Sequence, residues 1–93
     1  MSVSVRLPTI LRTQAGGLSE ISAEGATVGE VVDDVVRQFP GTASHLKAPG
    51  GGLHRFVNVY LDDEDVRYLG GLETPVTDGA KVSIVPAVAG GAG

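Results

Sequence analysis

The residues best suited to chemistry stand near the end of the chain, in Lys81-Val-Ser-Ile-Val-Pro-Ala-Val-Ala-Gly-Gly91 followed by Ala92 and Gly93. An alternating segment runs into a proline, then into small residues, then into a glycine pair. Glycine has no Cβ to clash with the walls of a narrow cleft, so a carboxylate carried on consecutive glycines can enter an active site on another protein. Residues 87–93 therefore read as a flexible reactive arm, and residues 1–86 as the body that presents it.

Other residue types that often carry chemistry lead elsewhere. His45 and His54 have no second ligand at a useful spacing, so they read as surface residues and no metal site is expected. The cluster Asp62-Asp-Glu-Asp65 lacks the spaced ligands and the glutamate of a calcium loop and reads as a solvated turn. Pro49-Gly-Gly-Gly52 precedes neither Gly-Lys-Ser/Thr nor a helix start, so it reads as a loop and not as a phosphate cradle. The absence of cysteine excludes disulfides, thiolate metal sites, a cysteine nucleophile and a persulfide on this chain.

A length of 93 residues implies one small domain, near the lower limit at which a single apolar core suffices. The formal net charge of -4 argues against nucleic acid as a partner, because phosphate binding needs a basic face, and fits encounters with basic protein surfaces. The first residues alternate too regularly for a signal peptide, and no apolar run approaches the ~20 residues that cross a bilayer. A cytoplasmic location without membrane contact is expected.

Elements that could position the arm follow from periodicity. Residues 2–7 place Val3, Val5 and Leu7 on one face, the period of a half-buried strand that Pro8 should end. Gly16-Gly17 predicts a turn and residues 18–22 a second strand, closely joined to the first as an antiparallel hairpin. Thr27-Val-Gly-Glu30 has the spacing of a capping box. Val28, Val31, Val32, Val35, Val36 and Phe39 then form one apolar stripe, with Glu30, Asp33, Asp34, Arg37 and Gln38 on the wet side. Five valines are poor helix formers, so this helix must depend on packing. Pro40-Gly41 stops it, and residues 43–48 form at most one further helical turn. Strands are expected over 56–61, briefly over 66–68, and over 81–85. This order is that of a ubiquitin-like β-grasp: an α+β domain with a mixed sheet of four to five strands and one main helix on one face. First and last strands can then lie parallel at the sheet centre.

Several of these segments also carry a resemblance: Val57-Asn-Val-Tyr-Leu-Asp62, Pro8-Thr-Ile-Leu-Arg12, Leu53-His-Arg-Phe-Val-Asn58, Asp63-Glu-Asp-Val-Arg67 and Pro86-Ala-Val-Ala-Gly-Gly91. On these the chain resembles the small bacterial sulfur carriers of ubiquitin-like fold that serve molybdopterin, thiamine and cysteine biosynthesis, and most closely the actinobacterial cysteine-biosynthesis branch. The resemblance implies a protein cosubstrate rather than an enzyme, with no bound cofactor. A partner of the ubiquitin-activating type would use ATP and magnesium to adenylate Gly91, and a sulfur donor would convert the adenylate to a thiocarboxylate. The implied acceptors are a PLP-dependent cysteine synthase or a thiazole-synthase-like enzyme. Pro86, Ala87, Val88, Ala89 and Gly90 would be recognised along the partner's groove or sheet edge. Phe56 and Val85, on the sheet face that the helix leaves open, would dock the activating enzyme.

Ala92 and Gly93 depart from the family pattern, in which the reactive glycine ends the chain. Either a metalloprotease of the kind that trims such carriers removes them, or the partner accepts Gly93 directly. Two other classes of function remain: a ubiquitin-like modifier joined to lysines through the same carboxylate, and a β-grasp interaction module with an inert tail.

Overall fold

The computed structural model describes residues 2–48, 52–54 and 57–86, and in it the alternating segments pair into one five-stranded mixed sheet. Strand β1 (Ser2–Arg6) pairs antiparallel with β2 (Glu20–Glu24), with Ser2 opposite Glu24 and Arg6 opposite Glu20. On its other side β1 runs parallel to β5 (Lys81–Pro86), which pairs antiparallel with β3 (Val57–Leu61). A two-residue β4 (Glu64–Asp65) completes the order β2-β1-β5-β3-β4, so the last strand lies at the centre as chain order predicts. Period-two alternation sends Val3, Val5, Val59, Val82 and Ile84 into the core.

The main helix, α2 (Val28–Gln38), covers that face with Val28, Val31, Val32 and Val35, all buried. Thr27 caps it, its Oγ1 accepting the Glu30 N–H at 3.2 Å. The Glu30 carboxylate reaches one residue further back than a capping box requires, accepting the Ala26 N–H at 2.8 Å. Valine contributes little intrinsic helicity, so burial of the stripe against the sheet holds this element.

Four expectations need correction. The β1–β2 connection is not a tight turn. Pro8 leads into a helical turn, α1 (Thr9–Arg12), continued by a 3₁₀ turn over Thr13–Ala15, and Gly16 and Gly17 follow it with positive φ. Leu11 and Ala15, four residues apart, both bury there, and β2 starts two residues later than expected. Residues 66–68 form a 3₁₀ turn and not a strand, because the hairpin partner of β3 is the acidic segment before them. Asp62 (φ 49°) and Asp63 (φ 75°) make the two-residue hairpin loop, a conformation that aspartate tolerates better than most residues.

Asp34 and Asp65, both expected in solvent, are buried. Strand β2 lies at the sheet edge, where unpaired backbone groups need partners. The Glu24 N–H donates to Asp34 Oδ2 at 3.0 Å, and Gln38 Nε2 donates to the Ser22 carbonyl and to Asp34 Oδ2, each at 2.9 Å. Arg37 pairs with the other Asp34 oxygen. Asp65 caps the 3₁₀ turn by accepting the Arg67 N–H at 2.9 Å and takes the Arg67 guanidinium at 2.7 Å. Hydrogen bonding from the Arg67 side chain, then from its backbone N–H, holds the Asp65 carboxyl below the usual carboxylate range.

Asp34→Ala leaves the Glu24 N–H of β2 unmet and should cost about 1–3 kcal/mol, read as a lower urea midpoint with unchanged m value. The depressed Asp65 pKa contributes stability that is present above an unfolded carboxyl's pKa of about 3.9 and lost as pH falls through the lower native value. The stability difference between the native chain and Asp65→Asn should therefore shrink below about pH 4. A difference constant across that acid limb would contradict the assignment.

Candidate functional site

The candidate site is the end of β5, from which residues 87–93 continue. Val82 and Ile84 lock β5 under α2, while backbone pairing to β1 and β3 clamps both of its edges. Pairing extends one residue beyond the expected end of the strand: Pro86 still sits opposite Val57. The arm thus leaves the body from the best-anchored strand of the sheet.

The open face carries Val85, opposite Asn58 in register and 40% exposed. Phe56, and Ala87, Val88, Ala89, Gly90, Gly91, Ala92 and Gly93, lie outside the described residues, as do Pro49, Gly50 and Gly51 of the glycine loop.

Two grooves flank Pro86. One, of about 340 Å³, runs between the end of β5 and α1 and is lined by Arg6, Pro8, Ile10, Arg12, Val85 and Pro86 among others. The second, of about 160 Å³, lies on the other side of Ile10 and is lined by Leu11, Ser44, His45, His54, Val57 and Pro86 among others. Ile10 stands between them, 54% exposed. Sequence reasoning missed it. In Thr9-Ile-Leu-Arg12 two adjacent aliphatic residues compete for one core position, and Leu11 takes it by virtue of its four-residue spacing to Ala15.

His45 and His54, read separately as surface residues, are brought to one groove. The second helical turn, α3 (Ala43–Leu46), carries His45, and the chain folds back through a Lys47–Leu53 bridge so that the His54 N–H donates to the Leu46 carbonyl at 2.9 Å. Among the described residues no three histidine, aspartate or glutamate side chains gather as a metal site, and no helix is long and apolar enough to cross a membrane.

The model of the ThiS family matches residues 5–91. The sulfur carrier protein CysO of Mycobacterium tuberculosis is 50% identical over 93 residues, which span 98% of this chain and 100% of that protein. A chain in the crystal structure of the BexX/CysO complex of Amycolatopsis orientalis superposes with a TM-score of 0.87 at 53% identity, over 96% of this chain and 99% of that one. Small archaeal modifier protein 3 of Haloferax volcanii is 37% identical over 68 residues, 73% of each protein. Spanning the whole sheet, its main helix and the segment that follows β5, these similarities show that the chain belongs to the ThiS family and has its ubiquitin-like β-grasp fold.

Proposed function

We propose that this protein is a sulfur carrier whose reactive group is the carboxylate of Gly91. The observation that carries this reading is the 50% identity, over the full length, to a sulfur carrier protein, together with a family match that runs through Gly91. Geometry supports it: residues 87–91, starting from a β5 anchored to Pro86, can span at most ~18 Å, enough to thread a partner's active-site channel.

A C-terminal carboxylate has a pKa of roughly 3.5 and is an ionised, poor electrophile at neutral pH. On the proposed cycle, an activating enzyme attaches AMP to it from magnesium-ATP and releases pyrophosphate. A sulfur donor then displaces AMP, leaving a thiocarboxylate. Tethered sulfur of this kind is delivered in a fixed orientation, which free sulfide lacks. The acceptor is a PLP-dependent cysteine synthase or a thiazole-synthase-like enzyme, and the chain itself supplies no catalytic group. That a CysO chain crystallises with BexX supports partner docking of this kind.

Ala92 and Gly93 would move the carboxylate ~7 Å beyond Gly91, and a displacement of ~1 Å can cost about a hundredfold in a positioned reaction. On this reading a metalloprotease trims them; direct use of Gly93 by the partner is the competing route. The relationship to an archaeal modifier protein favours one alternative function, conjugation to lysines through the same adenylate.

Three products separate the readings when the chain ending at Gly91 is incubated with the host's activating enzyme, magnesium-ATP and a sulfur source. A carrier exchanges one oxygen for sulfur in its intact mass, a modifier forms larger covalent adducts, and an inert tail shows no ATP-dependent change. Docking through the open face predicts that Val85→Asp weakens adenylation about tenfold, ~1.4 kcal/mol, while leaving the urea midpoint in place. Unchanged adenylation would reject the docking role, and Phe56 carries the same expectation.

A further inference from the structure

The carboxylates of this acidic chain are not spread evenly over it. The β3–β5 register puts Val57 beside Pro86 and Leu61 beside Val82, so Asp62, Asp63 and Glu64 lie at the end of the sheet remote from the arm. Asp78 accepts the Ser2 N–H, and Glu24 stands opposite Ser2, at that same remote end. Neither groove beside Pro86 is lined by a single carboxylate. What lines them is apolar surface centred on Ile10, together with Arg6, Arg12 and both histidines.

The cations differ in the same way. Arg37, Lys47 and Arg67 are each paired with an aspartate. Among the described residues Arg6, Arg12 and Lys81 form no ion pair, and of these Lys81 stands beside Asp62 and Asp63 at the acidic end while Arg6 and Arg12 line the groove beside Pro86. Arg12 Nε donates to the Leu7 carbonyl at 3.1 Å, which fixes the side chain at the groove without neutralising it. Arg6 sits at the border of this region, facing Glu20, Asp62 and Asp63 across a hollow on the open sheet face. Arg12 is therefore the cleaner representative of the cationic side.

From this we infer that the root of the arm is a steering and docking collar for a partner surface that presents carboxylates around an apolar side chain, the apolar group seating against Ile10 and a carboxylate meeting Arg12. The complementarity concerns the end of the molecule that must approach first: a partner that admits the arm meets the cationic collar, while the acidic end faces away. Paired charges at a rim change association rate and salt dependence more than the chemistry that follows. The inference rests on the carrier reading, because it names the surface recognised by the enzyme that takes the arm.

The test is ATP–pyrophosphate exchange by the host's activating enzyme with chains ending at Gly91, measured against sodium chloride concentration. Arg12→Glu should lower kcat/KM about tenfold at low salt with kcat at saturation unchanged, and the deficit should close as salt screens the collar. Arg12→Lys should keep most of the native kcat/KM. Lys81→Glu, the same change in charge at the acidic end of β5, should leave it unaffected. If Arg12→Glu lowers the urea midpoint, Ile10→Ser, at an exposed position, decides in its place through a raised KM at constant kcat. Equal effects of Arg12→Glu and Lys81→Glu, or a native kcat/KM indifferent to salt, would overturn the collar while leaving the carrier reading intact. An absence of exchange with the native chain would overturn both.

Discussion

Backbone hydrogen bonds hold β5 on both edges, parallel to β1 and antiparallel to β3, and its inward residues Val82 and Ile84 are sealed beneath the valine stripe of α2. A strand in that position cannot peel away without opening the sheet through its middle. The placement gives the residues that follow Pro86 a rigid origin, which the proposed delivery of one atom to a partner's active site would require. Elements elsewhere serve the same placement. The helix closes the face above β5, and its Asp34 and Gln38 meet the Glu24 N–H and the Ser22 carbonyl on the exposed edge of β2.

Chemistry and recognition are separated along the molecule. Residues 87–91 carry the proposed reacting end, and the body around Pro86 carries the proposed docking surface: exposed Val85 and Ile10, with Arg12 fixed beside them. The net charge alone suggested basic partner surfaces. The distribution of charge points the other way for the docking end, because Asp62, Asp63, Glu64, Asp78 and Glu24 stand remote from Pro86 while Arg12 lines the groove beside it. Overall charge sets solubility and long-range behaviour, while the local field at the docking end sets orientation.

Much of this was legible in the residues. Strict alternation in residues 2–7 and 56–61, the Thr27 cap and the valine stripe all translate directly into β1, β3 and α2, because each depends on neighbours close in sequence. The central position of β5 was legible too, since chain order and the handedness of crossovers leave few topologies. What escaped notice depends on hydrogen bonds and short turns that periodicity does not report. Asp34 turns inward because an edge strand ten residues earlier offers it an N–H, and Asp65 because its turn needs a cap. Residues 9–15 are too few to show helical periodicity, so α1 and the exposure of Ile10 were hidden. The two histidines share a groove only because the chain doubles back between them.

The intact mass of the protein isolated from its own host tests most directly whether Gly91 is the proposed reacting end. The predicted result is a species ending at Gly91 in which one carboxylate oxygen has been replaced by sulfur. A protein that retains Ala92 and Gly93 while carrying the thiocarboxylate, or one recovered only in covalent conjugates, would contradict it.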